Sequence, residues 1–152
     1  MSVELERCLT GRKLVQIEVD GVLIGKEVAA AEFDFTTATE SLRNENYKWA
    51  TVQSYYSMFH TAKALVLSRG YREKGHYCLF VALRELFGEK NLLEVKHIND
   101  YEETMGARKD ADYGLIYSRD SAGEAIGNAG SFLKKAKEIL HKGGISWEKP
   151  LQ

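Results

Sequence analysis

Arg108 occupies the position that packing explains least. Val95, Ile98, Tyr101 and Met105 recur at three- and four-residue steps, and the same line runs on to Arg108 and Asp112, so two ionisable groups prolong an apolar helical stripe. A guanidinium turned toward a core needs an acceptor, because an unpaired buried charge is strongly destabilising. Asp112, one turn further on, is placed to supply it, and Tyr113 adds a phenol beside the pair. The pattern has two readings: a structural ion pair that lets the helix end at the surface, or a polar pocket wall whose arginine engages an anion.

A second group follows a helical segment in the run RGYREKGH. There Arg69, Arg72, Lys74 and His76 alternate with Tyr71, and Tyr77 follows. Cations that pair with phosphate beside rings that stack on bases suit a nucleotide or single-stranded RNA. Cations after a helix C-terminus also compensate the helix dipole, and both readings stand. His60, one turn after Tyr56, reads as a general base or as a hydrogen-bonded core histidine. Gly123, Gly127 and Gly130 form a strip without side chains beside the apolar face of the last helix. Glycine weakens a helix by up to about 1 kcal/mol per residue, so the strip predicts close approach by another helix, from the same bundle or from a second copy in a homodimer.

No metal or cofactor is expected. His60, His76, His97, His141, Cys8 and Cys78 lack ligand spacing, and neither Glu-x-x-His pairs nor a glycine-rich phosphate loop, a GxSxG elbow or HExxH occurs.

These residues must be positioned by helices. The segment Lys48 to His76 anchors the pattern: Val52, Tyr55, Tyr56, Phe59, Ala62 and Val66 share one arc, which predicts a long helix with a wide buried face. Gln53, Ser54, Ser57, His60, Thr61 and Ala64 lie opposite, which predicts an amphipathic helix with a solvated side. It breaks at Gly70 into the basic turn. Upstream, Val28, Ala31, Phe35, Ala38 and Leu42 define a helix from Lys26, and the turn Asn44-Glu45-Asn46 makes the two antiparallel. Downstream come helices over His76 to Phe87 and Leu92 to Asp112, a loop from Gly114 to Ser118, and a last helix opened by a capping box at Ser121 and Glu124. Gly143-Gly144 end it.

The expected fold is therefore all-α, an antiparallel bundle of four long helices plus a short one over residues 26–142. An N-terminal extension, 1–25, precedes it, and a loose tail, 143–152, follows. Val3 to Leu9 reads as a short helix, while the β-branched stretch around Leu14 to Val19 is either a strand or an extended arm.

The chain has 152 residues, of which 44% are hydrophobic, enough for one core without disulfide or metal staples. Cys8 and Cys78 lie in unrelated segments and form no disulfide framework, which suits a reducing interior. With 21 basic and 22 acidic residues, no global field attracts nucleic acid, so any binding must come from a local cluster. No apolar run reaches the roughly 20 residues of a membrane span, and the expected location is the cytoplasm.

The run YYSMFHTAKALVLSRGYREKGH, preceded by KWATVQS and followed by ARKDADYG and SAGEAIGNAGSFL, resembles the HEPN family of small helical bundles, in particular its uncharacterised stand-alone prokaryotic members. The resemblance extends from about Lys26 to Leu140. It implies a bundle of about five helices, a homodimer, and an association with a minimal nucleotidyltransferase as a toxin–antitoxin pair. It further implies either nucleotide or RNA binding, or metal-independent RNA cleavage by an arginine and a histidine in an R-x(4 to 6)-H arrangement. A non-catalytic helical scaffold is the remaining alternative. The family arginine matches Arg108, but Tyr113 stands where its histidine would be; Arg69 to His76 has the spacing in another place. The candidate residues are Arg69, His76 and Arg108 for catalysis, and Arg72, Lys74, Arg108, Asp112, Tyr113 and His60 for the nucleotide or RNA.

Overall fold

A computed structural model describes residues 1–145. Along them run α1 (Val3–Thr10), β1 (Leu14–Gln16), α2 (Gly21–Arg43), α3 (Tyr47–Ser68), β2 (Tyr71–Glu73), α4 (His76–Leu83), α5 (Val95–Asp112) and α6 (Arg119–Lys142). The all-α bundle is as expected, with α2, α3, α5 and α6 long and α4 short.

The Asp20 side chain accepts a hydrogen bond from the Val22 N–H at 2.8 Å and caps α2, so this helix starts more than a turn before Lys26. Glu45 adopts a left-handed conformation, φ 60°, and turns the chain back into α3. That helix differs from the sequence expectation. Its supposed solvated side is buried: Ser54, Ser57, Thr61 and Ala64 are no more than 1% exposed. Short hydroxyl side chains can be buried when backbone carbonyls accept from them. Ser54 donates to the Ala50 carbonyl at 2.7 Å, Ser57 to that of Ala31 on α2 at 2.8 Å, and Thr61 to that of Ser57 at 2.8 Å. Thus α3 is the central helix, packed by α2, α5 and α6. Between positions 50 and 67 only Gln53, Tyr56, Phe59, His60 and Lys63 are half-exposed, and their spacing puts them on one stripe.

The basic turn is not a turn. Tyr71–Glu73 forms β2 and pairs antiparallel with β1, Leu14 opposite Glu73 and Gln16 opposite Tyr71. The stretch near Leu14 is therefore a strand. Gly70, at φ +81°, permits the reversal, and a Cβ there would lie 3.2 Å from the Ile17 carbonyl oxygen. Strand pairing brings α1 against α4, where Cys8 and Cys78 form a disulfide with Cα atoms 5.7 Å apart. This corrects the expectation of unpaired cysteines and removes the premise from which a reducing interior was inferred. Sequence separation concealed a pairing that the small sheet creates.

Three boundaries also move. The helix begun by α4 loosens into a π-helical turn over Arg84–Gly88, and α5 starts at Val95 rather than Leu92. For α6, Ser118 is the cap, accepting from the Ser121 N–H at 3.1 Å, so Ser121 and Glu124 lie inside the helix and form no capping box. Gly143 and Gly144 do end it, Gly144 at φ +75°. The part of the tail beyond Ile145 lies outside the described residues. The glycine strip divides: a Cβ on Gly130 would meet the Phe35 ring of α2 at 3.0 Å, whereas Gly123 and Gly127 face open space.

The disulfide closes a separation of 70 residues, for which chain entropy gives about 4 kcal/mol and measured cases typically 2–4 kcal/mol. Reduction, or the double substitution Cys8→Ser/Cys78→Ser, is expected to lower stability by about 2–4 kcal/mol in urea melts. Two titratable thiols in the unreduced, denatured protein would contradict the pairing.

Candidate functional site

The open stripe of α3 is where the polar chemistry collects. Tyr56, Phe59, His60 and Lys63 line its length, α2 contributes Glu27 and Asp34, β2 contributes Glu73, α4 begins with His76, and α5 supplies Arg108 and Asp112.

Arg108 stands at one end, with its side chain 13% exposed. One Nη2 hydrogen donates to the Tyr56 hydroxyl at 3.0 Å, and the same nitrogen lies 3.5 Å from an Asp112 oxygen. The guanidinium carbon sits 5.6, 5.4 and 5.5 Å from the ring centroids of Tyr55, Tyr56 and Tyr113, within cation–π range. Its Nε is buried without an acceptor. The arginine is thus oriented chiefly by ring faces and keeps donors in reserve.

His76 opens α4, half-buried, with Nδ1 2.5 Å from the Tyr55 hydroxyl. Its ring stacks on Phe59 at 4.5 Å, 23° from parallel. Burial lowers its pKa from the usual 6.5, and the nearby charges of Arg108, Lys109 and Lys63 push the same way. The neutral imidazole is therefore the resting form at pH 7. Tyr55 is wholly buried, and its phenol is pushed up to about 12, chiefly by burial. It stays protonated and serves as a hydrogen-bonding post. Tyr101 packs edge-on to it at 6.0 Å, with its own hydroxyl in no well-formed hydrogen bond.

Beyond Phe59 lies His60, whose ring centroid is 5.4 Å from the Phe59 centroid. Its Nδ1 is 2.6 Å from Glu27 Oε2 and its Nε2 is 3.7 Å from Asp34 Oδ2. Lys63 Nζ bridges Glu27 at 3.3 Å and Glu73 at 3.4 Å. Burial alone would raise Glu27, but the His60 hydrogen bond and Lys63 outweigh it and hold this carboxyl below its usual value. Asp34 and Glu73 are raised by burial, only partly offset by His60 and Lys63 respectively.

Arg108, Asp112, Tyr113, His60 and His76 therefore gather around one strip. Arg69 does not join them. It caps α3 some 20 Å along the helix from Tyr55, at about 1.5 Å per residue, with its guanidinium carbon 5.5 Å from the Phe87 ring centroid. The Arg69 and His76 spacing is thus spanned by an extended strand. Arg72 and Lys74 are exposed on and just after β2. Glu27, Asp34, Lys63 and Tyr55 escaped the sequence reasoning. Their signal was the helical step from Tyr56 to His60 and Lys63, together with the seven-residue step from Glu27 to Asp34. Among the described residues no group of three or more His, Cys, Asp or Glu side chains could hold a metal ion, and no helix is long and apolar enough to cross a membrane.

Comparison with known proteins adds three findings. The HEPN domain pattern matches residues 28–140. A protein of Methanocaldococcus jannaschii named "Putative toxin" is 31% identical over 106 residues, 68% of this chain and 72% of its own length. A UPF0332 protein of Archaeoglobus fulgidus is 30% identical over 98 residues, 63% of this chain and 78% of its own.

The lowered pKa of His76 fixes a pH effect. The unfolded chain binds a proton at about pH 6.5 that the folded protein resists, so stability is full above that value and declines as pH falls through the window below it. His97, also lowered by burial, acts in the same direction. His76→Gln is expected to flatten the decline between pH 6.5 and 5 in urea melts. An unchanged slope would show that His76 titrates as if exposed.

Proposed function

Because this chain belongs to the HEPN domain family, we propose that it is a toxin-like HEPN protein that binds RNA or a nucleotide through the strip centred on Arg108. One observation carries this: a guanidinium fixed against three tyrosine rings, with Nη1 in no hydrogen bond among the described residues. Such a group presents planar donors to a phosphate, and Tyr113, 75% exposed beside it, offers a stacking face for a base. The relative named as a toxin supports the toxin-like reading.

Metal-independent RNA cleavage is the second reading. A neutral histidine beside an arginine favours it, since cleavage needs a base for the ribose 2′-hydroxyl and a cation for the phosphorane. The same proposal includes a homodimer and a minimal nucleotidyltransferase partner. Gly123 and Gly127, open on α6, and the exposed Tyr113, Leu115, Ile116 and Tyr117 offer surface for such contacts.

In fluorescence anisotropy with a single-stranded RNA at low salt, Arg108→Ala is expected to weaken binding at least about tenfold, as for loss of a charge-assisted pair. Arg108→Lys should recover part of it, keeping the charge without the planar donors. Equal affinity of wild type and Arg108→Ala, or no binding at all, would refute the site. Chelator-resistant cleavage of total RNA, abolished by His76→Ala, would establish the second reading.

A further inference from the structure

The cleavage reading leaves one function unassigned. Transesterification of RNA moves two protons, one from the attacking 2′-hydroxyl and one to the leaving 5′ oxygen, and each transfer gains from its own positioned group. The residue five places after Arg108 is a tyrosine, so the second group must come from elsewhere in the fold. His97 is 6% exposed, buried against Phe132. Of the other three histidines, His141 lies in the last turn of α6, while His60 and His76 both flank Phe59, at 5.4 and 4.5 Å.

We infer that His60, oriented by Glu27, is the proton donor to the leaving oxygen, so that one protomer carries both the acid and the base for RNA cleavage. This rests on the cleavage reading given above. Its geometric basis is that Glu27 accepts from Nδ1 at 2.6 Å, which fixes the ring and leaves Nε2 as the exchanging atom, the usual effect of a carboxylate behind a histidine. The side chain is 25% exposed, so a substrate can reach it. At His76 the tautomer that serves as base is the one in which Nδ1–H donates to the Tyr55 hydroxyl oxygen, so that Nε2 carries the lone pair.

The reaction balances without a co-reactant. The 2′ oxygen attacks phosphorus and its proton passes to Nε2 of neutral His76. The bond from phosphorus to the 5′ oxygen breaks, and that oxygen takes a proton from Nε2 of protonated His60. The products are a 2′,3′-cyclic phosphate and a 5′-hydroxyl, and the two imidazoles reset by proton exchange with water. Arg108 and Lys63 lie at either end of the strip, where they offset the negative charge of the phosphorane. The groups facing His60 are Glu27 and Asp34 of α2 and Lys63 of its own helix; those facing His76 are Tyr55, Arg108, Lys109 and Lys63.

The test uses two substrates in EDTA: a short RNA with one ribose linkage, and uridine 3′-(p-nitrophenyl phosphate), whose leaving group departs without a proton. Wild type should cleave both, with a bell-shaped pH profile on the RNA. His60→Gln should slow the RNA at least about 100-fold, lose the alkaline limb of the profile and retain near-normal cleavage of the nitrophenyl ester. His76→Gln should fail on both. Glu27→Gln, a milder change, should show the His60→Gln pattern weakly, and melting curves establish that each variant is folded. An equal loss on both substrates for His60→Gln and Glu27→Gln would make His60 structural and overturn the inference, as would wild-type rates in those variants. If wild type binds an all-2′-deoxy analogue of the RNA but cleaves neither substrate, the acid–base pair is refuted and the binding function stands. If it does not bind the analogue either, the binding function falls as well.

Discussion

The burial of α3 on every side but one is the constraint on which the structure depends. A helix of 22 residues in the middle of a bundle must present small or apolar groups to each neighbour, and this one does so with Ser54, Ser57, Thr61 and Ala64 on the side that sequence periodicity assigns to solvent. Each hydroxyl is bonded to a backbone carbonyl, and the Ser57 bond to Ala31 crosses directly to α2. Close approach on that side leaves a single stripe uncovered, and that stripe gathers His60, Lys63, His76 and Arg108 with their carboxylate and tyrosine partners.

Tyr55 links the core to the strip. Its ring belongs to the interior, packed edge-on or tilted against Tyr56, Phe59 and Tyr101, while its hydroxyl reaches His76 and its face lies under Arg108. Two groups from separate helices are therefore held by one core residue. The small sheet and the disulfide act on the same place from behind. The β1–β2 pairing sets the path to His76, and Cys78, two residues later, is tied to α1.

Much of the fold was legible in sequence. The four long helices, their antiparallel order and the glycine stop after α6 followed from periodicity and turn chemistry. Apart from the shifted helix ends, the mistaken features share a physical cause: a partner distant along the chain. Tyr71–Glu73 reads as a turn until Leu14–Gln16 pairs with it, and Cys8 and Cys78 are unrelated until that pairing brings α1 to α4. Serine and threonine on α3 read as surface because the helix that covers them is distant in sequence; Ser54 and Thr61 bond to carbonyls one turn back, and only Ser57 reaches across to Ala31 on α2. For the site, Arg108 and Asp112 were visible because ionisable groups on an apolar stripe break a pattern. Glu27 and Lys63 break none, since charges on a half-exposed helix face are ordinary, and only the folded geometry joins them to His60.

The central claim is that Arg108, held by tyrosine faces with donors unpaired, receives a phosphate of RNA. It is tested most directly by following the Arg108 Nη–H resonances during titration with a short RNA whose 2′-hydroxyls are blocked. The account predicts a saturable downfield shift of these resonances as Nη1 gains an acceptor, with the His76 ring resonances moving over the same concentrations. A spectrum in which Arg72 and Lys74 respond while Arg108 and His76 do not would place binding on β2 and contradict it.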